Sequence, residues 1–244
     1  MKVIALYNSK GGVGKTTSCV NLAWVAASQG GKVLLWDLDP QGAASFTLSV
    51  DKSLDQKAKK LISGKADWAE EIQDTPWQNL KLIPADLRLR DSEILMEEEK
   101  RSKKLLGDWI KKLRLNFDVI FLDCPPGLSL LTENILRAAD VIIVPVVPTP
   151  LAVRSLGHMD EFLTESGKYS SKIHPFLSMA DRRKKVHKNL ATYLLNRSDS
   201  LKTVIPPLAE IERMGVTRKP SASVLSSRSS ELYASLWREI EPLS

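Results

Sequence analysis

Lys10-Gly11-Gly12-Val13-Gly14-Lys15-Thr16-Thr17 is the stretch on which the fold turns. An apolar run precedes it, Val3-Ile4-Ala5-Leu6-Tyr7, which reads as a buried parallel strand. Residues 18–29 follow and read as a helix. Strand, glycine loop and helix together make a phosphate cradle. Glycines let backbone N–H groups turn toward an anion, and the helix N-terminus adds partial positive charge. The spacing satisfies G-x-x-x-x-G-K-[ST] with Ser9 in place of the first glycine. Gly11, Gly12, Val13, Gly14, Lys15, Thr16 and Thr17 are then the nucleotide-holding residues. The motif puts Lys15 on the β/γ-phosphates and Thr16 on Mg²⁺. A glycine turn with no ligand would need strand, loop, lysine, hydroxyl and helix to fall in register by accident.

Lys10 is the unusual residue, because an ordinary phosphate loop needs no charge there. Two lysines flanking one glycine loop repel unless an anion lies between or beyond them. With this lysine the stretch resembles the ParA/MinD family of deviant Walker-A ATPases, whose signature is KGGxGKT[TS]. The resemblance implies ATP and Mg²⁺ as cofactors and a nucleotide-sandwich homodimer. It also implies that Lys10 reaches across the dimer to the partner's phosphates and acts with Lys15 in catalysis. A solvated loop lysine is the plain alternative for Lys10.

The chain has 244 residues, of which 43% are hydrophobic, enough for a sizeable core, and reads as one domain over residues 1–244. Its formal net charge of +6 makes anionic partners plausible without choosing among nucleic acid, lipid and nucleotide. No apolar run approaches the roughly 18 residues of a membrane span, and the first residues resemble a strand rather than a signal segment. Cys19 and Cys124 each lie beside a nucleotide motif and form no C-x-x-C pair. Buried free thiols and a cytoplasmic address are the expectation.

Apolar strands are expected at 32–36, 80–84, 119–122, 141–147, 173–179 and 203–205, with helical patterns at 91–113, 128–138, 151–165 and 184–196. Such alternation argues an α/β fold: a mostly parallel twisted sheet with helices on both faces and ligands beyond the carboxyl ends of the strands. Residues 51–74 read as small surface helices or a flexible excursion, and 221–230 as a serine-rich loop. Glu97-Glu98-Glu99 followed by Lys100-Arg101 reads as a solvated face.

Asp37-Leu38-Asp39-Pro40-Gln41-Gly42 follows the second strand. Alternation allows Asp37 and Asp39 to share a side until Pro40 and Gly42 stop the strand. The resemblance makes this stretch switch I, with Asp39 orienting the attacking water. Asp37 has two uses open to it, the Mg²⁺ shell or a bond to the phosphate loop. Val119-Ile120-Phe121-Leu122-Asp123 ends an apolar strand on an acid, the Walker-B form, and assigns Asp123 to the metal. Asp123-Cys124-Pro125-Pro126 matches the family's D-x-P-P at the start of switch II. The absence of N-K-x-D favours adenine over guanine. Met179 and Pro206 are candidates to flank the base, with core packing and a turn as their competing roles.

Arg182, Arg183, Lys184, Lys185 and Lys188 form a basic stretch, and Arg218 and Lys219 add two cations downstream. A solvated helix face and a DNA-binding patch both fit. Resemblance to cargo-moving family members implies non-specific binding of double-stranded DNA by the ATP dimer, a nucleoid-associated location, and a ParB-like or cargo-adaptor protein that stimulates hydrolysis. The last segment has apolar residues at Leu232, Leu236 and Ile240 but carries Glu231, Glu239 and Glu241 against Arg238. It lacks the basic face of a membrane helix, so a helix docked on the core is expected. The rival readings are a MinD-like membrane regulator, an iron–sulphur carrier ATPase, which would need paired cysteines, and a regulatory protein that holds ATP without turnover.

Overall fold

A computed structural model describes residues 1–51, 54, 58–63, 65–86, 96, 104–113, 116–166, 172–181 and 183–243. Eight strands form one sheet: β1 (Lys2–Leu6), β2 (Val33–Asp37), β3 (Gln73–Asp74), β4 (Leu80–Ile83), β5 (Val119–Asp123), β6 (Val141–Val146), β7 (Lys172–Ser178) and β8 (Val204–Ile205). Their spatial order is β3-β4-β2-β5-β1-β6-β7-β8. All pairings are parallel except the two-residue β3, which runs antiparallel on the β4 edge. β2 and β6 are buried at every position, as expected of parallel strands covered on both faces. Pro145 is tolerated within β6 because the β1 pairing has already ended at Ile143, and its carbonyl accepts Asn8 Nδ2 at 2.9 Å.

The expected strands are present, with bounds shifted by a residue or two; β3 is additional. On one face lie α4 (Leu105–Leu113), α5 (Leu130–Ala138), α6 (Pro150–Ser166) and α7 (Lys185–Leu195). Trp36, Trp68 and Trp109 cluster under this layer with ring centroids 4.8–6.2 Å apart. Residues 51–74 are therefore only partly an excursion. Within the described part, α3 (Ala58–Ile62) and a 3₁₀ turn at Trp68–Glu71 tuck Leu61 and Trp68 into the core. Of the helix expected at 91–113, Leu105–Leu113 is helical; most of 91–103, with its acidic and basic runs, lies outside the described residues.

The opposite face carries α1 (Lys15–Ser28), α2 (Ala43–Thr47), α8 (Ala209–Glu212), α9 (Met214–Thr217) and α10 (Arg228–Ile240). α10 starts three residues before the expected serine-rich loop should end, because Ser227 Oγ accepts the Ser230 N–H and caps it. It buries Tyr233, Leu236, Trp237 and Ile240 against the core, with Trp237 packed 5.8 Å from Phe121. Its apolar face is consumed by the fold, the docked arrangement expected of this tail. Among the described residues no helix is long and apolar enough to cross a membrane. Cys19 and Cys124 are free and buried.

Candidate functional site

The loop between β1 and α1 is built from side chains as well as glycines. Asn8 Oδ1 accepts the Lys10 N–H at 3.0 Å, an Asx turn that bends the chain out of the sheet. Gly12 and Gly14 take left-handed conformations, φ +71° and +93°. Gly14 is also the N-cap of α1, so the helix begins at Lys15 rather than the expected Ser18. No acid sits in its first turn and no side chain caps it, which leaves the first N–H groups to an anion. A Cβ on Gly14 would lie 2.9 Å from Ser178 Oγ, so a substitute must push that side chain aside as well as bear the left-handed backbone. Gly14→Ala is expected to cost about 1–2 kcal/mol in backbone strain alone and to weaken nucleotide binding, checked by thermal melts and nucleotide titration.

Lys15 is buried, and its ammonium donates to the Lys10 carbonyl at 2.9 Å. Burial lowers its pKa, and the nearby Asp123 pulls it back up. Lys10 is only half-buried, and among the described residues its ammonium pairs with no acid. The loop is tied to the segment after β5: Gly127 N–H donates to Ser9 O at 3.0 Å, and Tyr7 OH donates to Gly127 O at 3.1 Å. Ser9 Oγ and Ser155 Oγ lie 3.0 Å apart, which ties it to α6 as well.

Asp37 and Asp123 end neighbouring parallel strands in direct register. Both are fully buried. Among the described residues no hydrogen bond of ordinary length and angle reaches either Asp123 oxygen or Asp37 Oδ1. Burial pushes Asp123 well above the usual carboxylate range and Asp37 raises it further, while the Thr16 hydroxyl and Lys15 pull it back. Asp37 is pushed up to about 6 by burial, against two hydrogen bonds from Ser45. Those bonds, Ser45 N–H at 2.8 Å and Ser45 Oγ at 2.7 Å, both go to Asp37 Oδ2. Of the two uses open to Asp37, a bond to the phosphate loop is not made; α2 takes the carboxylate instead, because its N-terminal turn folds directly over the strand end. Asp39 is half-exposed, with Oδ1 accepting the Gln41 N–H at 3.0 Å.

Orphaned carboxylate oxygens beside a threonine and a lysine suit a hydrated Mg²⁺. Among the described residues no group of three His, Cys, Asp or Glu could hold a metal alone. That fits Mg²⁺, which takes one or two carboxylates, water and substrate phosphates. Thr16 and Asp123 could hold it, with the free oxygen of Asp37 in reserve.

Met179 and Pro206 line one cleft with Gly14, Thr17 and Tyr233, at the end of the sheet that carries the loop. Its volume of about 70 Å³ is small beside the roughly 300–1,000 Å³ of ordinary ligand sites. Met179 sits in the left-handed region, φ 49°, which turns the chain out of β7. A cavity of about 690 Å³ opens elsewhere, at the starts of β2 and β4 between Lys32, Trp77, Lys81 and Phe117. The chemistry of the loop, not cavity size, locates the site.

The basic residues separate. Lys184, Lys185 and Lys188 are exposed around the first turn of α7. Cations there oppose the helix dipole, so stability of the helix does not explain them. Arg183 forks onto Asp181, with two bonds of 2.9 Å, and depresses that carboxyl's pKa. Arg182 lies outside the described residues. Lys219 is exposed, but Arg218 turns inward onto Phe46 and Asp51. α7 packs on the layer with Trp36, whereas α9, just before Arg218, packs on the layer with α1. The helices that carry the two groups thus pack on different layers of the sheet. Sequence reasoning missed Tyr7, Asn8, Ser45 and Ser178; of these only Asn8, in Asn-Ser-Lys-Gly-Gly, carried a local turn signal.

Comparison with known proteins bears on this arrangement. A family model described as an AAA domain matches residues 1–174. The sporulation initiation inhibitor protein Soj of Bacillus subtilis is 38% identical over 159 residues, 65% of this chain and 63% of that protein. The chromosome partitioning protein ParA of Caulobacter vibrioides is 37% identical over 151 residues, 60% of this chain and 56% of that one. The matched part thus spans under two thirds of these curated relatives. Among solved structures, cobyrinic acid a,c-diamide synthase from Mycobacterium smegmatis, with bound ADP and magnesium, superposes with a TM-score of 0.82 at 26% identity, covering 98% of this chain and 94% of the other. With the P-loop, the two strand-end aspartates and the sheet order in place, the chain belongs to this AAA-domain family, and its sequence is similar to the partition proteins Soj and ParA.

Proposed function

We propose that this chain, acting as one unit over residues 1–244, is an ATP-driven switch that dimerises, binds DNA non-specifically and positions DNA or a protein cargo. The observation that carries the reading is the pairing of a two-lysine phosphate loop with buried carboxylates at the ends of β2 and β5 that keep oxygens without a hydrogen bond among the described residues. Lys15 holds the β- and γ-phosphates with the α1 N-terminus behind them. Thr16 and Asp123 hold Mg²⁺, which when bound neutralises charge on the phosphates. Asp39, in its turn beside the loop, orients water for hydrolysis to ADP and phosphate, slowly until a ParB-like or adaptor partner engages. Phosphoryl transfer asks mainly for positioning and charge neutralisation, which these residues supply. Met179 and Pro206 flank the base once the cleft widens. Lys10, whose ammonium meets no acid among the described residues, serves the partner's phosphates.

Lys184, Lys185 and Lys188 are the DNA-facing cations in this reading, which places the protein on the nucleoid in the cytoplasm. Lipid attachment through α10 is disfavoured because its apolar face is buried. Co-sedimentation with double-stranded DNA in ATP and in ADP tests the switch. Binding is expected in ATP alone; neutralising about four phosphates would give a log–log salt slope of about −4. Equal binding in both nucleotides would refute it. Lys10→Ala is expected to keep monomer nucleotide binding and lose the ATP-dependent dimer; a dimer retained on a sizing column would remove the role in trans.

A further inference from the structure

Arg218 occupies a position where a side chain is a burden. It ends α9 in the left-handed region, φ 53° and ψ 44°, where helices usually place glycine. Its guanidinium compensates. Nε donates to Phe46 O at 3.0 Å, the group stacks 4.6 Å from the Phe46 ring centroid, and both terminal nitrogens grip Asp51. Its carbonyl accepts Ser49 Oγ at 3.1 Å, and Ser49 is itself left-handed, φ 58°. Two strained residues therefore meet at one contact, a pattern associated with functional sites.

What they grip is α2. Phe46 adjoins Ser45, whose N–H and hydroxyl bond Asp37 from the other side. Ser45 Oγ also accepts the Ala85 N–H at 3.0 Å, and Gly42 N–H, at the helix start, bonds Asp39 O at 2.9 Å. A five-residue helix has little stability of its own. Ala44 and Leu48 bury it against α1 and β2, and polar contacts tie it to Asp37 on one side and Arg218 on the other.

We propose that Arg218 is a positioning residue for the nucleotide site: by clamping α2 through Phe46 and Asp51 it keeps Asp37 and the Asp39 turn in place. The inference rests on the ATPase reading above and specifies how the carboxyl-terminal segment supports that site. It takes Arg218 out of the DNA-facing set.

Arg218→Gly separates this role from folding, because glycine relieves the backbone strain while removing the clamp. In the nucleotide-free variant, amide hydrogen exchange at Phe46–Val50 is expected to rise roughly tenfold, with the melting temperature near that of the wild type. Its kcat for ATP hydrolysis is expected to fall about tenfold through misplacement of the site, with nucleotide affinity held within about twofold. Arg218→Lys, which can still reach Asp51 but cannot stack and fork, should recover part of the loss. Unchanged exchange, or a wild-type kcat, overturns the proposal. Equal losses of affinity and kcat also overturn it, as does loss of DNA binding with hydrolysis intact. A wild-type chain without turnover would sink the ATPase reading instead, and the exchange arm would still judge the clamp.

Discussion

Lys15→Ala is expected to lower ATP hydrolysis about a thousandfold while leaving the fold in place. The side chain is buried and reaches across the mouth of its own loop to the Lys10 carbonyl, so nothing else can deliver a cation to the same point. Truncating one partner of a buried, hydrogen-bonded charge pair typically costs about 2–5 kcal/mol. At about 1.4 kcal/mol per tenfold, the upper half of that range is a loss of about two and a half to three and a half orders of magnitude. Lys15→Arg should not rescue, because a planar fork cannot replace a compact ammonium in a loop this tight. Nucleotide titration and phosphate release measure the effect, and circular dichroism checks the fold. Hydrolysis within threefold of wild type would show that the loop does not hold the reacting phosphates.

Asp123→Asn is expected to abolish Mg²⁺-dependent hydrolysis and, in the same stroke, to stabilise the Mg²⁺-free chain. Asp123 is fully buried with Asp37 beside it, and among the described residues no hydrogen bond of ordinary geometry reaches either oxygen. Ionising such a carboxyl costs several kcal/mol unless a cation compensates. The amide removes that cost at neutral pH and removes the metal ligand with it. If about 2 kcal/mol is regained, the melting midpoint of a chain this size rises by roughly 4–8 °C. The pH dependence has a definite sign. Asp37 is raised to about 6, and Asp123 is raised as well. A carboxyl whose folded pKa exceeds its unfolded value contributes stability that is fully present below the unfolded pKa and is lost as pH rises through the folded one. For Asp37 that window runs from about 4 to about 6, and a shift of two units is worth roughly 3 kcal/mol. The gain from Asp123→Asn should therefore be clear at pH 7.5 and shrink toward pH 4. Melts at both pH values without Mg²⁺ check this. A lower midpoint than wild type at pH 7.5 would mean that the carboxylate is compensated within the protein.

These two residues also mark how far the sequence could be read. Lys15 and Asp123 were legible because their chemistry is local: a glycine loop and an apolar strand each end on the residue that matters, and residue spacing alone orders them. The parallel α/β architecture was legible for the same reason, since strands buried on both faces, such as Val141-Ile142-Ile143-Val144, read as unbroken apolar runs. The short β3 was not legible, because two residues carry no period.

What sequence alone determined, then, is that a triphosphate-type loop opens a parallel α/β sheet, with acids waiting at the ends of two later strands. Tertiary structure decided which partner each of those residues takes. Asp37 went to Ser45, eight positions on, because α2 folds back over the strand end. Arg218 folds along the surface onto Asp51, 167 positions away, because α9 packs beside α2. The basic residues fell on separate layers because the helices that carry them cover opposite faces of the sheet. Periodicity and motif spacing record what a residue is next to along the chain; pairing and burial depend on what the folded sheet brings beside it.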